Sequence, residues 1–204
     1  LDWLEKNGKD DNWFLHINIW DPHTPYRTPL NYGNPFDDAP HPSWLKEETL
    51  RRHREMYGPH SARTPHDLRD MPEEFFDRYP RLPRSIETPK DYKKWIDGYD
   101  TGINYADYWS GKVFDLLKKS GIWEDTLIII SSDHGENQGE LNIYGDHQLA
   151  DETTHRIPLI IKGPGMKEGT VDKELHYNID LSATLIDLLG GWDLIPEMWD
   201  ARSF

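Results

Sequence analysis

The stretch that decides the fold is "IIISSDHGENQGELNIYGDHQLADETTHRIPLIIKGPG", which runs from Ile128 to Gly165. An apolar run stands at each end of it, "TLIIISS" at 126–132 and "RIPLIIKG" at 156–163. Neither run alternates polar and apolar residues, which is typical of parallel strands that are covered on both faces. Charged and metal-capable side chains fill the segment between them: Asp133, His134, Glu136, Asn137, Glu140, Asp146, His147, Asp151, Glu152 and His155.

Two helices flank these strands in the sequence. Upstream, "TPKDYKKWIDGYDTGINYADYWSGKVFDLLKKSG" predicts a long helix that begins at Thr88 or Pro89 and ends at a Gly121 cap. Residues of its predicted buried face recur at spacings of three and four. That face consists of Tyr99, Ile103, Ala106, Ser110, Val113 and Leu117. Downstream, "NIDLSATLIDLLGG" predicts a helix that begins near Asp180 or Ser182 and ends before Gly190.

A third apolar run, "NWFLHINIW" at 12–20, is short and rich in Ile, Trp and Phe, which favours a buried strand. The order of strand, long helix, strand, loop, strand and helix indicates an α/β fold. We therefore predict a mainly parallel sheet flanked by helices, in one domain that spans residues 1–204.

The segment from Asp21 to Pro89 differs from the rest because it holds twelve of the fifteen prolines. Its one periodic piece, "SWLKEETLRRHREMY" at 43–57, predicts a helix capped by Ser43 with Trp44, Leu45 and Leu50 as apolar positions. Long irregular segments in compact domains are usually functional loops or disordered. We interpret this one as a Pro-rich insertion or loop region near the active site.

Composition excludes several classes of protein. The chain has 204 residues, no cysteine and a net charge of −14. It therefore has no disulfide framework, no thiolate zinc site and no cysteine nucleophile of its own. The charge argues against nucleic acid as a partner, and no apolar run approaches the roughly 20 residues that span a bilayer.

Two polar motifs follow directly on predicted strands. "SSDHGEN" follows "TLIII", and "DPHTPY" follows "FLHINIW". Ligands of open parallel sheets bind outside the carboxyl ends of the strands. Since strands lie about 4.8 Å apart, we expect His23, Asp133, His134 and His147 to line one cleft, within roughly 10–12 Å of a common point.

The residue types in these motifs suit a metal site, although each has a simpler explanation. A carboxylate and an imidazole at a strand end, Asp133 and His134, can bind a divalent cation once Gly135 provides the turn. Asp133 could equally cap a turn while His134 merely packs. His23, held between two prolines, and His147, in a Gly-Asp-His turn, could be structural histidines.

Taken in order, these motifs resemble the sulfatases of the alkaline phosphatase superfamily. The resemblance is carried by "FLHINIWDPHTPY", "GYDTGINYADYWSGKVFDLLKKSGIWEDTLIIISSDHGE", "GDH…THRIPLIIKGPG" and "NIDLSATLIDLLG". The closing "WDARSF" is similar to the family's "DGRS" turn. The similarity is weakest between about residues 30 and 90.

The resemblance implies a sulfuric ester hydrolase with one divalent cation, usually calcium. Because His134 offers a nitrogen to a cation that prefers oxygen, the metal could also be magnesium or manganese. The resemblance further implies that Asp133 and His134 bind the metal, that His23 contacts the sulfate, and that His147 lies beside the leaving group. The implied substrate is a sulfated small molecule or carbohydrate.

Besides the His134 nitrogen, two departures from the family pattern affect this interpretation. The family's Lys after the "GDH" turn is absent, so His147 or His155 would replace it. The formylglycine motif, of the type C/S-x-P-S-R, and the upstream Asp pair are also absent. We expect both upstream of Leu1, in a missing N-terminal part of the same domain. The chain would then be a middle-to-C-terminal fragment of a sulfatase, inactive and weakly metal-binding by itself.

Two other functions are compatible with the same residues. In a two-metal phosphodiesterase or phosphatase of the same superfamily, Asp133, His134 and His147 would all bind metal. In a non-catalytic sulfatase-like domain, the sheet would serve binding only.

Overall fold

The computed structural model describes residues 1–204, apart from the side chains of residues 67 and 69. It divides into two compact units, Leu1–Pro164 and Gly165–Phe204. The elements of the first unit are α1 (Asp2–Asn7), α2 (Glu47–Glu55), α3 (Glu73–Arg78), α4 (Pro89–Ser120), β1 (Ile128–Ser131), β2 (Asn137–Gln138), β3 (Tyr144–Asp146), α5 (Glu152–His155) and β4 (Leu159–Lys162), with short 3-10 helices at Leu30–Tyr32, Pro65–Asp70 and Glu140–Asn142. The second unit contains α6 (Asp180–Leu188) and a 3-10 helix at Trp192–Leu194.

The long helix α4 begins and ends where the sequence predicts. The Thr88 side chain accepts a hydrogen bond from the Asp91 amide, and the Asp91 carboxylate accepts one from the Thr88 amide. This capping box satisfies amides that the first helical turn leaves unpaired. Gly121 ends the helix in the left-handed conformation, at a φ of 75°, which glycine adopts without steric cost.

The buried face of α4 differs from the predicted one. Leu117 is buried as expected, but Ile103 is 47% exposed. The helix instead buries a face in its N-terminal half that includes Trp95, Gly98 and Gly102. A Cβ on Gly98 would lie 2.4 Å from Tyr26 Cδ2. The Pro-rich segment therefore packs so closely against α4 that glycine is required there.

The prediction of parallel, fully covered strands is wrong for β1 and β4. The two strands pair antiparallel, with Ile129 opposite Ile161, and β2 and β3 are also antiparallel. Neighbouring parallel strands need a crossover connection of a dozen or more residues, usually a helix. Here the only α-helix between β1 and β4 in the described chain is the four-residue α5, so the chain doubles back. Ile130 and Ile160 are 38% and 58% exposed.

The predicted strand at 12–20 does not form. No residue of this run belongs to a strand, and Phe14 and Trp20 are 75% and 54% exposed. A strand is stabilised by the backbone hydrogen bonds of its neighbours. In the sheets of the described chain, no strand pairs with this run.

The helix predicted at 43–57 is shorter, and Ser43 is not its cap. Helix α2 begins at Glu47 after Lys46. The Leu45 amide donates to Pro42 O, and the Lys46 amide donates to Trp44 O. These turn hydrogen bonds hold the backbone outside a helix until Lys46. Of the three predicted apolar positions, Leu45 and Leu50 are buried, whereas Trp44 is 40% exposed.

The Pro-rich segment forms most of the core of the first unit. It supplies seven of the ten residues in the main buried cluster: Tyr26, Leu45, Leu50, Ala62, Leu68, Leu82 and Ile86. The others are Tyr92, Trp95 and Tyr144. A segment that buries this many apolar side chains is an ordered part of the fold, which excludes the disordered alternative. Most of it is nevertheless irregular, and its role as a loop region near the active site stays a prediction.

The second unit confirms the predicted C-terminal helix. Helix α6 begins at Asp180, and Gly190 follows its end at a φ of 74°. The Asp180 carboxylate accepts hydrogen bonds from the Tyr177 amide at 2.9 Å and the Arg202 amide at 2.8 Å. The "ARS" turn is therefore tied to the first residue of the helix.

No helix in the described part of the chain is both long and apolar enough to cross a membrane.

Candidate functional site

His23 is held in place by its own loop. Its Nδ1 donates to Thr24 O at 2.6 Å. Thr24 Oγ1 lies 2.9 Å from His66 Nε2, and His66 Nδ1 donates to Gly145 O at 2.8 Å. Because Nδ1 of each imidazole donates to a carbonyl, His23 has Nε2 available for a ligand. His66 also joins the His23 loop to β3.

Asp133 and His134 follow β1 after one intervening residue, Ser132. The His134 amide donates to Asp133 Oδ1 at 3.0 Å, and His134 Nδ1 donates to Gly135 O at 2.7 Å. Asp133 Oδ2 lies 3.7 Å from His134 Nε2, and the Asp133 side chain is 87% exposed. The Gly135 amide donates to Thr154 O at 2.7 Å. A Cβ on Gly135 would lie 2.0 Å from Thr153 O, so the close approach of α5 requires glycine.

His147, one residue after β3, completes the cluster. Its ring stacks on His134 with centroids 3.8 Å apart and planes 17° apart. Its centroid lies 5.9 Å from that of His23. The fold therefore brings His23, His134 and His147 together, with Asp133 beside His134. Their functional roles stay predictions.

Glu136 belongs to this cluster although the sequence did not single it out. Its Oε1 lies 3.6 Å from His147 Nδ1, and the residue is 8% exposed. Burial raises the pKa of the Glu136 carboxyl to about 7. The pKa of His147 is lowered, first by burial and then by His134. The available signal was the spacing: Glu136 lies two residues after His134, across a glycine.

Three members of the cluster could hold a metal ion. Ligand atoms of His134, Glu136 and His147 lie within 4.8 Å of one another. Glu136 Oε1 and His147 Nδ1 are buried, and neither has a hydrogen-bond partner in the described structure. Buried polar atoms are normally paired, so two adjacent unpaired atoms fit a bound cation. Two nitrogens and a carboxylate suit a divalent metal. This set shares His134 with the predicted pair of Asp133 and His134.

Comparison with known proteins identifies the family. The family model described as sulfatase matches residues 1–191 of the 204. The chain belongs to the sulfatase family. The family match includes the four residues that the sequence assigned to the site.

Curated relatives share this sulfatase region over half of the chain or more. Choline-sulfatase of Rhizobium meliloti (strain 1021) is 29% identical over 194 residues, which cover 92% of this chain and 34% of the relative. N-acetylglucosamine-6-sulfatase of Bos taurus is 26% identical over 204 residues, which cover 100% and 33%. The multifunctional alkaline phosphatase superfamily protein PehA of Trinickia caryophylli is 38% identical over 103 residues, 50% of this chain and 20% of that protein. The chain thus spans about a third or less of the relatives' length.

Solved structures share the fold. The phosphonate monoester hydrolase SpPMH from Silicibacter pomeroyi superposes with a TM-score of 0.73 and 29% identity, covering all of this sulfatase chain and 39% of that chain. The phosphonate monoester hydrolase of Agrobacterium radiobacter superposes with a TM-score of 0.64 and 24% identity, covering 93% of this chain and 37% of that chain. The chain therefore has part of the alkaline-phosphatase-like fold, as the sequence indicated.

Proposed function

We propose that the whole protein hydrolyses a sulfate ester, converting R–O–SO3⁻ and water to R–OH and sulfate. The observation that carries this proposal is the cluster of His23, His134 and His147 beside a buried Glu136, in a chain of the sulfatase family. The chain contains no cysteine, so its own residues supply the groups around the reacting centre rather than a cysteine-derived formylglycine.

His23 and His147 are proposed to act on opposite parts of the ester. Nδ1 of His23 is engaged by Thr24 O, so its Nε2, when protonated, can donate to a sulfate oxygen and stabilise charge in the transition state. His147 lies next to it and can protonate the departing alcohol oxygen. The prolines on either side of His23 restrict the backbone that carries its imidazole.

Asp133 and His134 are proposed to bind one divalent cation, with Glu136 as a further ligand within reach. When bound, the cation would withdraw charge from the sulfate oxygens. Asp133 and Glu136 provide oxygens, which calcium prefers. The His134 imidazole provides a nitrogen instead, so magnesium and manganese remain the alternative ions. Calcium is the expected ion, and metal replacement tests that choice.

A sulfated carbohydrate or small molecule is the proposed substrate class. Relatives named for an N-acetylglucosamine-6-sulfatase and a choline-sulfatase support it. We also propose that residues 1–204 are part of one catalytic domain and that the segment 21–89 shapes its substrate site. In support, the segment contains both His23 and His66, and His66 donates to Gly145 O in β3, the strand that immediately precedes His147.

The test is turnover of aryl and sugar sulfates by the whole protein. His147→Gln is expected to lower kcat by about 100- to 10,000-fold, the usual contribution of an acid–base group. His155→Gln is the matched control, because His155 is exposed and lies outside the cluster. If His155→Gln is the more damaging change, His147 is not the proton donor. Chelation should abolish turnover, and calcium should restore it better than magnesium or manganese.

A second candidate is hydrolysis of a phosphonate or phosphate ester. It is favoured by the superposition on SpPMH across the whole chain and by the position of His147 among potential metal ligands. Faster turnover of a phosphonate monoester than of every sulfate ester would select this candidate. Binding of sulfate esters without any turnover would instead indicate a non-catalytic domain.

A further inference from the structure

A cavity of about 320 Å³ opens beside His23. Its walls come mainly from the Pro-rich segment, and three of them are aromatic: Trp20, Phe75 and Tyr79. The Trp20 ring lies 4.8 Å from the His23 ring, and the Phe75 and Tyr79 rings lie 4.9 Å apart. A cavity of this volume accommodates a small ligand, and flat apolar walls suit the face of a ring.

Arg27 gives this cavity a positive charge. It lines the cavity, and its guanidinium carbon lies 5.6 Å from the centroid of Trp20. Within the part of the chain that the structure describes, Arg27 makes no ion pair with a carboxylate, and no described residue of the lining is acidic.

The charge of Arg27 contrasts with that of the whole chain. The net charge of −14 disfavours anions over the general surface. An arginine that makes no ion pair with the described carboxylates therefore makes this cavity a local exception. A guanidinium can bind a carboxylate or a sulfate through two parallel hydrogen bonds.

We propose that this cavity binds the alcohol part of the sulfate ester, and that Arg27 binds a second anionic group on the ring of that alcohol. The inference rests on the proposed function, since it places the leaving group next to His23. The ester sulfate meets the histidine cluster, the ring lies against Trp20 and Phe75, and the second anion reaches Arg27. The substrate class is thus a ring alcohol that bears both a sulfate ester and a second anion.

The first test compares two isosteric substrates with the whole protein loaded with its metal. These are 4-carboxyphenyl sulfate, which carries the second anion, and 4-carbamoylphenyl sulfate, which is neutral at that position. Arg27→Gln is expected to lower kcat/KM about 10-fold or more for the carboxylate, the size of a charge-assisted hydrogen bond. It should leave the neutral substrate unchanged, and Arg27→Lys should restore part of the loss.

Arg78→Gln is the matched control. Arg78 is also exposed, and its guanidinium carbon lies 5.5 Å from the Tyr79 centroid, but Arg78 does not line the cavity. If Arg78→Gln produces the same selective loss, or if Arg27→Gln affects both substrates equally or neither, the proposal is wrong. Repeating the comparison with 1,4-phenylene disulfate shows whether a carboxylate or a second sulfate depends more strongly on Arg27.

The second test does not need turnover. Calorimetric binding of 4-hydroxybenzoate should weaken at least several-fold in Arg27→Gln, while 4-hydroxybenzamide should bind both proteins equally. If no sulfate ester is hydrolysed but this selective loss is found, the proposed function fails and the anion site stands. Equal binding of 4-hydroxybenzoate to both proteins would refute the anion site whether or not sulfate esters are hydrolysed.

Discussion

The Pro-rich segment is more buried than its sequence suggests, and the two apolar strands are more exposed than theirs suggest. The segment from 21 to 89 looks irregular, yet Ala62 and Ile86 within it are fully buried. The strands look like core, yet Ile160 in β4 is 58% exposed and Ile130 in β1 is 38% exposed. Burial in this chain therefore follows from what an element packs against rather than from its own hydrophobicity.

The difference has a structural cause in helix α4. Its N-terminal half carries Trp95 and two glycines, and the Pro-rich segment packs against that half. Trp95 is fully buried and its Nε1 donates to Gln138 Oε1 at 2.6 Å. The core thus extends to β2, which begins immediately after Glu136. Among the described residues, strands β1 and β4 pair only with each other.

The largest loss of stability is expected from a substitution in the core. Trp95→Ala should reduce the free energy of unfolding by about 3–5 kcal/mol, because it opens a large cavity and leaves Gln138 Oε1 unpaired. Trp109→Ala, at a 41% exposed position of the same helix, should cost far less. Denaturant unfolding of the chain measures both. Similar losses would show that α4 is not anchored through its N-terminal half.

The contact between α4 and the His23 loop can be tested next. Gly98→Ala places a Cβ 2.4 Å from Tyr26 Cδ2 and should cost about 1–3 kcal/mol through overpacking. Gly111→Ala in the same helix has no atom within 4 Å of its Cβ. It should stabilise the chain by about 0.5–1 kcal/mol, since alanine favours helix over glycine. Thermal unfolding of the pair should therefore give shifts of opposite sign.

The stability of the chain should depend on pH through Asp151, the residue that caps α5 between β3 and β4. Its pKa is lowered to about 2, first by the hydrogen bond from Thr153 and then by those from Asn137 and Thr154. The folded pKa lies below the unfolded value of about 3.9. The stabilisation is therefore present above about pH 4 and lost as the pH falls through about 2.

Unfolding of Asp151→Asn against the native chain measures that dependence. The difference in stability should be largest above about pH 4 and shrink toward pH 2. Thr153→Val should give a smaller pH-dependent difference, because Thr153 Oγ1 donates to Asp151 Oδ1 at 2.7 Å. A difference that stays constant from pH 6 to 2 would exclude Asp151 as the titrating group.

The smallest loss of stability is expected from a substitution in the exposed strands. Ile160→Ala should change the free energy of unfolding by less than about 1 kcal/mol, because much of its side chain already contacts water. Leu50→Ala, at a position only 2% exposed, should cost about 2–5 kcal/mol. If Ile160→Ala approached the cost of Leu50→Ala, β4 would be part of the core after all.

Part of the candidate site was predictable because its residues follow recognisable local patterns. Asp133 and His134 were expected at the end of a strand, and β1 does end two residues before Asp133. His23 was expected at the end of a strand that does not form, yet its ring centroid lies 5.9 Å from that of His147. Glu136 and His66 were missed, because their partners are side chains and carbonyls brought together only by the fold.

What the sequence determined by itself was the structure that short-range hydrogen bonds specify. Thr88, Asp91 and Gly121 set the ends of α4, and Asp180 with Gly190 delimits α6. These devices act within a few residues, so their pattern is readable from the chain.

Only the tertiary structure decided the strand direction, the buried face of α4 and the order in the Pro-rich segment. The antiparallel pairing of β1 with β4 depends on where the intervening loop returns, and the packing of Tyr26 on Gly98 joins residues far apart in sequence. Each depends on a partner distant along the chain, whose approach local propensity does not encode.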